Sequence, residues 1–201
     1  MAEERIGDVM LKEVRLSFPV LAEPKNTFDP SKPRYGASAI MQRGGTVHKA
    51  LSNAMKKVAL AKWGEEKGLK ILKECAKNIQ RCCLQESKVD PENEMVLSAY
   101  NDARHPPLLL HANKAIMRDI AEIERVLYPG CYVNMKINLW AQDNQNGKAI
   151  RAALLAVQFA KNGERFGAGS GASLDEFEVI EGAEDVDLPS EKEDDDDDDF
   201  L

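Results

Sequence analysis

The chain has 201 residues, is 43% hydrophobic and carries a net charge of −7, which is enough for one domain with a real core; no run approaches the roughly 18 apolar residues of a membrane span. The net charge conceals two opposed segments: from Asp175 onward fifteen acidic residues stand against Lys192 alone, −14, so Met1 to Leu174 carries +7, with 26 basic residues against 19 acidic. A basic body suits a protein that meets a polyanion, because Lys and Arg replace the counterions condensed on phosphates.

Met1 to Asp8 is charged and lacks a signal-peptide core, so the expected location is the cytoplasm. Val9 to Phe18 alternates, with Met10, Val14, Leu16 and Phe18 as its apolar positions, and reads as a strand. Pro19, Pro24, Pro30 and Pro33 then punctuate a loop, and Arg34 to Met41 forms a second strand closed by Gly44 and Gly45. Thr46 is the expected N-cap of a helix in which Val47, Leu51, Met55 and Val58 recur at helical spacing until Gly64. A second helical pattern carries Leu69, Leu72, Cys75, Ala76 and Ile79. The lysines of this insertion, near 46–80, are scattered rather than set in a row, which suits packing helices better than a groove-reading helix.

Strands return at Met95–Tyr100, Leu108–His111, Cys131–Gln142 and Ala149–Ala160, with a short helix over Lys114–Val126 and a final turn at Gly163. Five or six strands in mostly antiparallel order, with helices between them, suit a small barrel or an α+β sandwich. Cys75, Cys82, Cys83 and Cys131 include no C-x-x-C pair and read as small buried hydrophobes rather than a zinc site.

The segment Cys131–Gln142 is the most legible strand. One face is Cys131, Val133, Met135, Ile137, Leu139 and Ala141, wholly apolar and core-facing; the other is Tyr132, Asn134, Lys136, Asn138, Trp140 and Gln142. Rings for stacking, amides and a cation on a solvent face are what unpaired bases and their backbone require. Tyr132 and Trp140 could equally lie under a neighbouring helix or loop. A polar turn through Asn146-Gly147 leads into a strand with Lys148, Ile150, Ala152 and Leu154 on one face and Arg151, Ala153, Leu155, Val157 and Phe159 on the other. Arg151 is expected beside Trp140, where a guanidinium can pair with phosphate or stack on a base. Lys148 and Lys161 flank the strand as phosphate contacts.

The chain ends in six consecutive carboxylates, Asp194, Asp195, Asp196, Asp197, Asp198 and Asp199, followed by Phe200 and Leu201. Adjacent like charges with no apolar surface do not fold on themselves, which suits either an interaction tail or a plain solvated, solubilising end; the basic body favours the interaction tail. The three histidines show no metal spacing, and neither a G-x-x-x-x-G-K-[ST] loop nor a G-x-S-x-G elbow occurs, so an enzyme is not expected. Two other readings stay open: an acidic-tailed assembly or chaperone-like protein, and a single-stranded RNA-binding protein, which would use the same stacking physics.

The stretch GCYVNMKINLWAQDNQNGKAIRAALLAVQFAKNGERFGAG, the segments RLSFPVLAEPK at Arg15–Lys25 and YGASAIM at Tyr35–Met41, and the acidic end together resemble phage-encoded single-stranded DNA-binding proteins with an oligonucleotide-binding (OB) fold. The resemblance implies a mainly β architecture: a five-stranded antiparallel barrel over 1–166 with a helical insertion near 46–80, then a flexible linker and disordered acidic tail over 167–201. It implies a sequence-tolerant groove whose contacts here are Tyr132, Lys136, Trp140, Lys148 and Arg151, with Arg34, Arg43 and Lys161 adding charge. It also implies roles in phage DNA replication, recombination and repair in the host cytoplasm. Asp194 to Phe200 would compete with DNA and recruit a polymerase, primase or helicase; homo-oligomers are compatible, and no cofactor or metal is implied. Similar phage proteins often end on the aromatic itself, whereas Leu201 follows Phe200 here.

Overall fold

Residues 6–25 and 29–166 are described by the structure, a computed structural model, and within them the apolar alternation read from the sequence closes a barrel. The elements in chain order are β1 (Asp8–Lys25), β2 (Arg34–Gln42), α1 (Thr46–Trp63), α2 (Glu65–Ala76), β3 (Leu84–Glu86), β4 (Glu94–Asp102), β5 (Leu108–Leu110), α3 (Ile120–Val126), β6 (Tyr132–Asn144) and β7 (Gly147–Lys161). The ring runs β4-β2-β1-β6-β7 and closes by pairing β7 with β4, which makes five barrel strands; β3 and β5 are short additions. Neighbours around the ring are antiparallel except at that closure, where Tyr100 meets Ala153 in parallel. This is the strand order and closure of an OB barrel. The expected linker and the acidic tail from Asp194 to Phe200 lie outside the described residues.

β6 supplies the wall that the sequence announced: Cys131, Val133, Met135, Ile137 and Leu139 are buried. They meet Leu11, Val14 and Leu16 of β1 and Ile150, Leu154 and Val157 of β7 in one core. Small Ala37 and Ala39 on β2 and Ala99 on β4, all buried, let the strands turn tightly on the opposite side. Leu51, Met55 and Val58 of α1 join that core from outside the barrel.

Three departures from simple alternation have one cause, the β-bulge, which inserts a residue and inverts the phase of the positions after it. In β1 the register shifts between Leu11 and Val14 and again between Ser17 and Val20. Glu13 and Phe18 take positive φ at these two places. Met10 and Phe18, expected inward, therefore face out, and Phe18 is 81% exposed. In β7 the partner of Lys136 is Ala156 but that of Ile137 is Leu154. The extra residue, Leu155, moves Val157 off the Arg151 face and into the core.

The helices also differ in detail. Gly45, not Thr46, is the N-cap of α1, with no side-chain cap bond; instead Gly44 N–H donates to Nδ1 of His48 at 2.9 Å. α2 stops at Ala76, so Ile79 lies in the following turn and is 63% exposed rather than part of a helical core stripe. α3 covers only the second half of the expected helix, because Asp119 caps it by accepting from Glu122 N–H at 2.8 Å and Ile116 is already bridged to Leu110.

The edge of β7 is sealed in three steps. Cys82 bridges Ile150, then Tyr100 pairs with Ala153, then β5 pairs with Ala156 to Gln158. All four cysteines are free and buried. Burial pushes every thiol up, Cys131 to about 11, because a thiolate is poorly solvated there. The folded protein is therefore expected to react slowly with Ellman's reagent at mildly alkaline pH and to release all four thiols on denaturation. Fast reaction of any one in the native state would mean that the β7 seam or the base of β6 opens readily.

Candidate functional site

On a barrel of this kind oligonucleotides and oligosaccharides bind across the second and third barrel strands and the loops joining first to second and fourth to fifth. Here those strands are β2 and β4, and the second loop is the tip of the β6–β7 hairpin. Directly paired residues on neighbouring strands share a face, so the register gives the surface row by row.

One outward row crosses four strands: Asn138 pairs with Ala153, Ala153 with Tyr100, and Tyr100 with Gly36. Tyr100 is 42% exposed. Gly36 leaves it room, since a Cβ there would overlap the ring. The Arg34 guanidinium lies 3.9 Å from the ring centre. Asp102, the register partner of Arg34, turns instead to Arg104 at 2.8 Å, which lowers its carboxyl to about 2. An incoming base can displace Arg34 from Tyr100 or stack on the guanidinium plane.

Two residues further along β6, Trp140 pairs with Arg151 and is 44% exposed on the outer surface. Arg151 Nε donates to Gln142 Oε1 at 3.3 Å. At the hairpin tip Lys148 pairs with Asp143 at 3.6 Å, and Asp143 also accepts from Trp63 Nε1 at 2.8 Å. Gly147 takes φ +95 there, so the turn proper is Gln145-Asn146 rather than Asn146-Gly147. Trp140 and Arg151 thus stand together, and Arg34 joins them through Tyr100, whereas Lys148, in the phase of Asp143 and Ala141, lies on the other face with its ammonium 5.9 Å from the Trp63 ring centre.

The other candidates lie elsewhere. Tyr132 is roughly 26 Å along β6 from Trp140, at about 3.3 Å per residue. Its ring packs against Gly163 and is flanked by Lys161 at 4.8 Å and Arg15 at 5.9 Å. Lys161 pairs with Glu13 at 2.9 Å, which lowers the Glu13 carboxyl and raises the Lys161 ammonium. Lys136 faces Asp8 at 3.9 Å, and Asp8 also accepts from Asn138 at 2.6 Å. Arg43, past the far end of β2 from Arg34, donates to Pro91 O at 2.6 Å and pairs with Glu86 at 2.8 Å, binding two loops together.

Sequence reasoning missed Tyr100 and Arg81. The first was findable: Met95, Leu97 and Ala99 point inward, so Tyr100 has the outward phase of the same strand. Arg81 lies in a turn without periodicity, and its guanidinium stands 3.7 Å from where a Cβ on Gly147 would be. Among the described residues no group of three His, Cys, Asp or Glu side chains could hold a metal ion, and no helix is long and apolar enough to cross a membrane.

The family model described as Enterobacter phage Enc34, ssDNA-binding protein, matches residues 7–196. Protein p50 of Acyrthosiphon pisum secondary endosymbiont phage 1 is 32% identical over 185 residues, 90% of this chain and 97% of that one. The solved single-stranded DNA-binding protein from bacteriophage Enc34 in complex with ssDNA is similar at a TM-score of 0.64 and 27% identity, over 81% of this chain and 91% of that one. The single-stranded DNA-binding protein gp2.5 of bacteriophage T7 is similar at a TM-score of 0.56 over 89% of this chain and 98% of that one; at 12% identity the likeness is one of fold.

Proposed function

The chain belongs to the family of the Enterobacter phage Enc34 ssDNA-binding protein, and on that premise we propose that it coats single-stranded DNA without sequence preference, as a binding protein and not an enzyme. The observation that carries this reading is the pair of half-exposed rings, Trp140 and Tyr100, on adjoining rows of the face where such barrels bind oligonucleotides. Bases stack on these rings; Arg151 and Arg34 take the backbone, Lys148 reaches it from the hairpin tip and Lys136 from beside the largely covered carboxylate of Asp8, and Lys161 exchanges the exposed Glu13 carboxylate for a phosphate. Exposed ion pairs are weak and the exchange costs little. Tyr132 and Arg43 we assign to packing, from the contacts that cover them.

The acidic segment ending in Asp194 to Phe200 competes with DNA for the cations of the body and, once displaced, is free to recruit a polymerase, primase or helicase during phage replication, recombination and repair in the host cytoplasm. Tethering places it at an effective concentration on the order of millimolar. Anisotropy with a labelled strand of about thirty nucleotides, as single-stranded DNA, matched RNA and duplex, at low and moderate salt, tests this for the full chain and for a chain ending at Leu174. The expected result is preference for single-stranded DNA, with truncation tightening binding on the order of tenfold at low salt and less as salt screens the tail. Equal affinity of the two chains at low salt would overturn the competition, and absence of binding by both would leave the acidic-tailed assembly protein as the better reading.

A further inference from the structure

The charge of the body is not on the barrel. Thr46 to Arg81 holds nine basic residues against three acidic, +6, while the rest of Met1–Leu174 holds seventeen against sixteen. The barrel-face lysines are moreover already paired: Lys136 with Asp8, Lys148 with Asp143 and Lys161 with Glu13. None of the nine cations of the insertion forms an ion pair with any described residue, and all nine are exposed. A chain that binds a polyanion thus carries nearly all the net positive charge of its body, +6 of +7, between Thr46 and Arg81.

The hairpin also stands in the right place. Lys67, Lys70, Lys73 and Lys77 recur at three- and four-residue spacing along the exposed side of α2 and its C-cap. The C-terminal end of α2 is fastened beside the start of β7, where Cys75 Sγ lies 3.4 Å from Lys148 O. Arg81 follows and reaches the hairpin tip at Gly147. The cations thus lead off α2, past the tip at Gly147, to Arg151 and Trp140, which share its phase.

We propose that this side of α2, with Arg81, is a second contact surface for the same single strand, gripping its phosphates where it leaves the barrel face past the β6–β7 tip. The inference rests on the proposed binding of single-stranded DNA. The surface is chemically unlike the barrel face: the one aromatic of the insertion, Trp63, is half-buried and spends its N–H on Asp143. It therefore offers phosphate contacts without stacking, so its contribution is carried almost wholly by salt-dependent counterion release. An acidic protein segment would suit the same charges, but continuity with the Trp140 row favours the strand already held there.

The test compares the wild type with Lys70→Gln/Lys73→Gln/Lys77→Gln and with Lys114→Gln/Arg118→Gln/Arg125→Gln, which removes the same charge around α3. Each is titrated with strands of about eight and about thirty nucleotides across a salt series. The α2 variant is expected to bind the long strand roughly tenfold more weakly, with a salt slope shallower by about 2, at about 0.7 per lost phosphate contact. It should bind the short strand as the wild type does, which also shows that it is folded, and the α3 variant should behave as wild type with both. Equal loss with both strands, equal loss in the two variants, or no loss at all would overturn the second surface. Failure of the wild type to bind either strand would overturn the proposed function itself, and this inference with it.

Discussion

Trp140→Ala is expected to weaken binding of single-stranded DNA by about 1–3 kcal/mol, roughly 5- to 150-fold, the range found when one stacking ring is removed. Tyr100→Ala is expected to do the same. Trp140 is 44% exposed and Tyr100 is 42% exposed, so neither ring is a core element whose loss would open a large cavity. Thermal stability should stay close to that of the wild type. Because a ring carries no charge, plots of log affinity against log salt should shift down without changing slope, whereas Arg151→Gln should flatten the slope. The rings sit on rows two residues apart, close enough to serve one strand, so the double variant should lose more than either single one. Unchanged affinity in both single variants would show that the strand takes another face, and a fall in melting temperature parallel to the fall in affinity would show that the rings are packing groups.

Gly130→Ala is expected to cost about 3 kcal/mol of stability, combining left-handed strain with a backbone overlap. Gly130 has φ +106, and a Cβ there would run into the carbonyl oxygen of Glu164. That carbonyl belongs to Asn162–Phe166, which folds back over the entry to β6: Phe166 N–H donates to Pro129 O at 3.0 Å and Arg15 Nη2 to Glu164 O at 2.9 Å. Neither backbone can yield without breaking these bonds. Gly44→Ala is the control, since φ is +74 but the space around it is open, and strain alone should cost about 1 kcal/mol. Urea unfolding of the two variants checks the contrast; equal losses would mean that the strap moves aside freely.

The barrel was legible because its walls alternate: Cys131 to Leu139 could be assigned inward and Trp140 outward from period two alone, and the Trp140–Arg151 neighbour pair followed from the hairpin. The features that escaped are ones that period cannot encode. Bulges at Glu13, Phe18 and Leu155 invert the phase without any residue type that announces them, so Met10, Phe18 and Val157 were placed on the wrong side. β3 is three residues long and has no period to detect. Tyr100 was within reach, one step beyond Ala99, but its partners Gly36 and Arg34 become neighbours only when β2 pairs with β4. The pairing of Lys136 with Asp8 and of Lys161 with Glu13 depends likewise on strands far apart in sequence, so which of the barrel's lysines are already paired could not be read from composition alone.

The sealing of β7 has a consequence for how the protein is made. β7 pairs with β6 on one edge and with the Cys82, Tyr100 and β5 segments on the other, while β6 in turn covers the free edge of β1 through pairs such as Asp8 with Asn138. Until β6 has been made, the nascent chain holds β1, β2 and β4 as an open meander, with the edge of β1 bare and that of β4 met only by the three-residue β3. Closure therefore waits for β7, the strand that joins β6 to β4, and any product of synthesis interrupted before it ends as an open sheet edge, the kind of surface that recruits other chains.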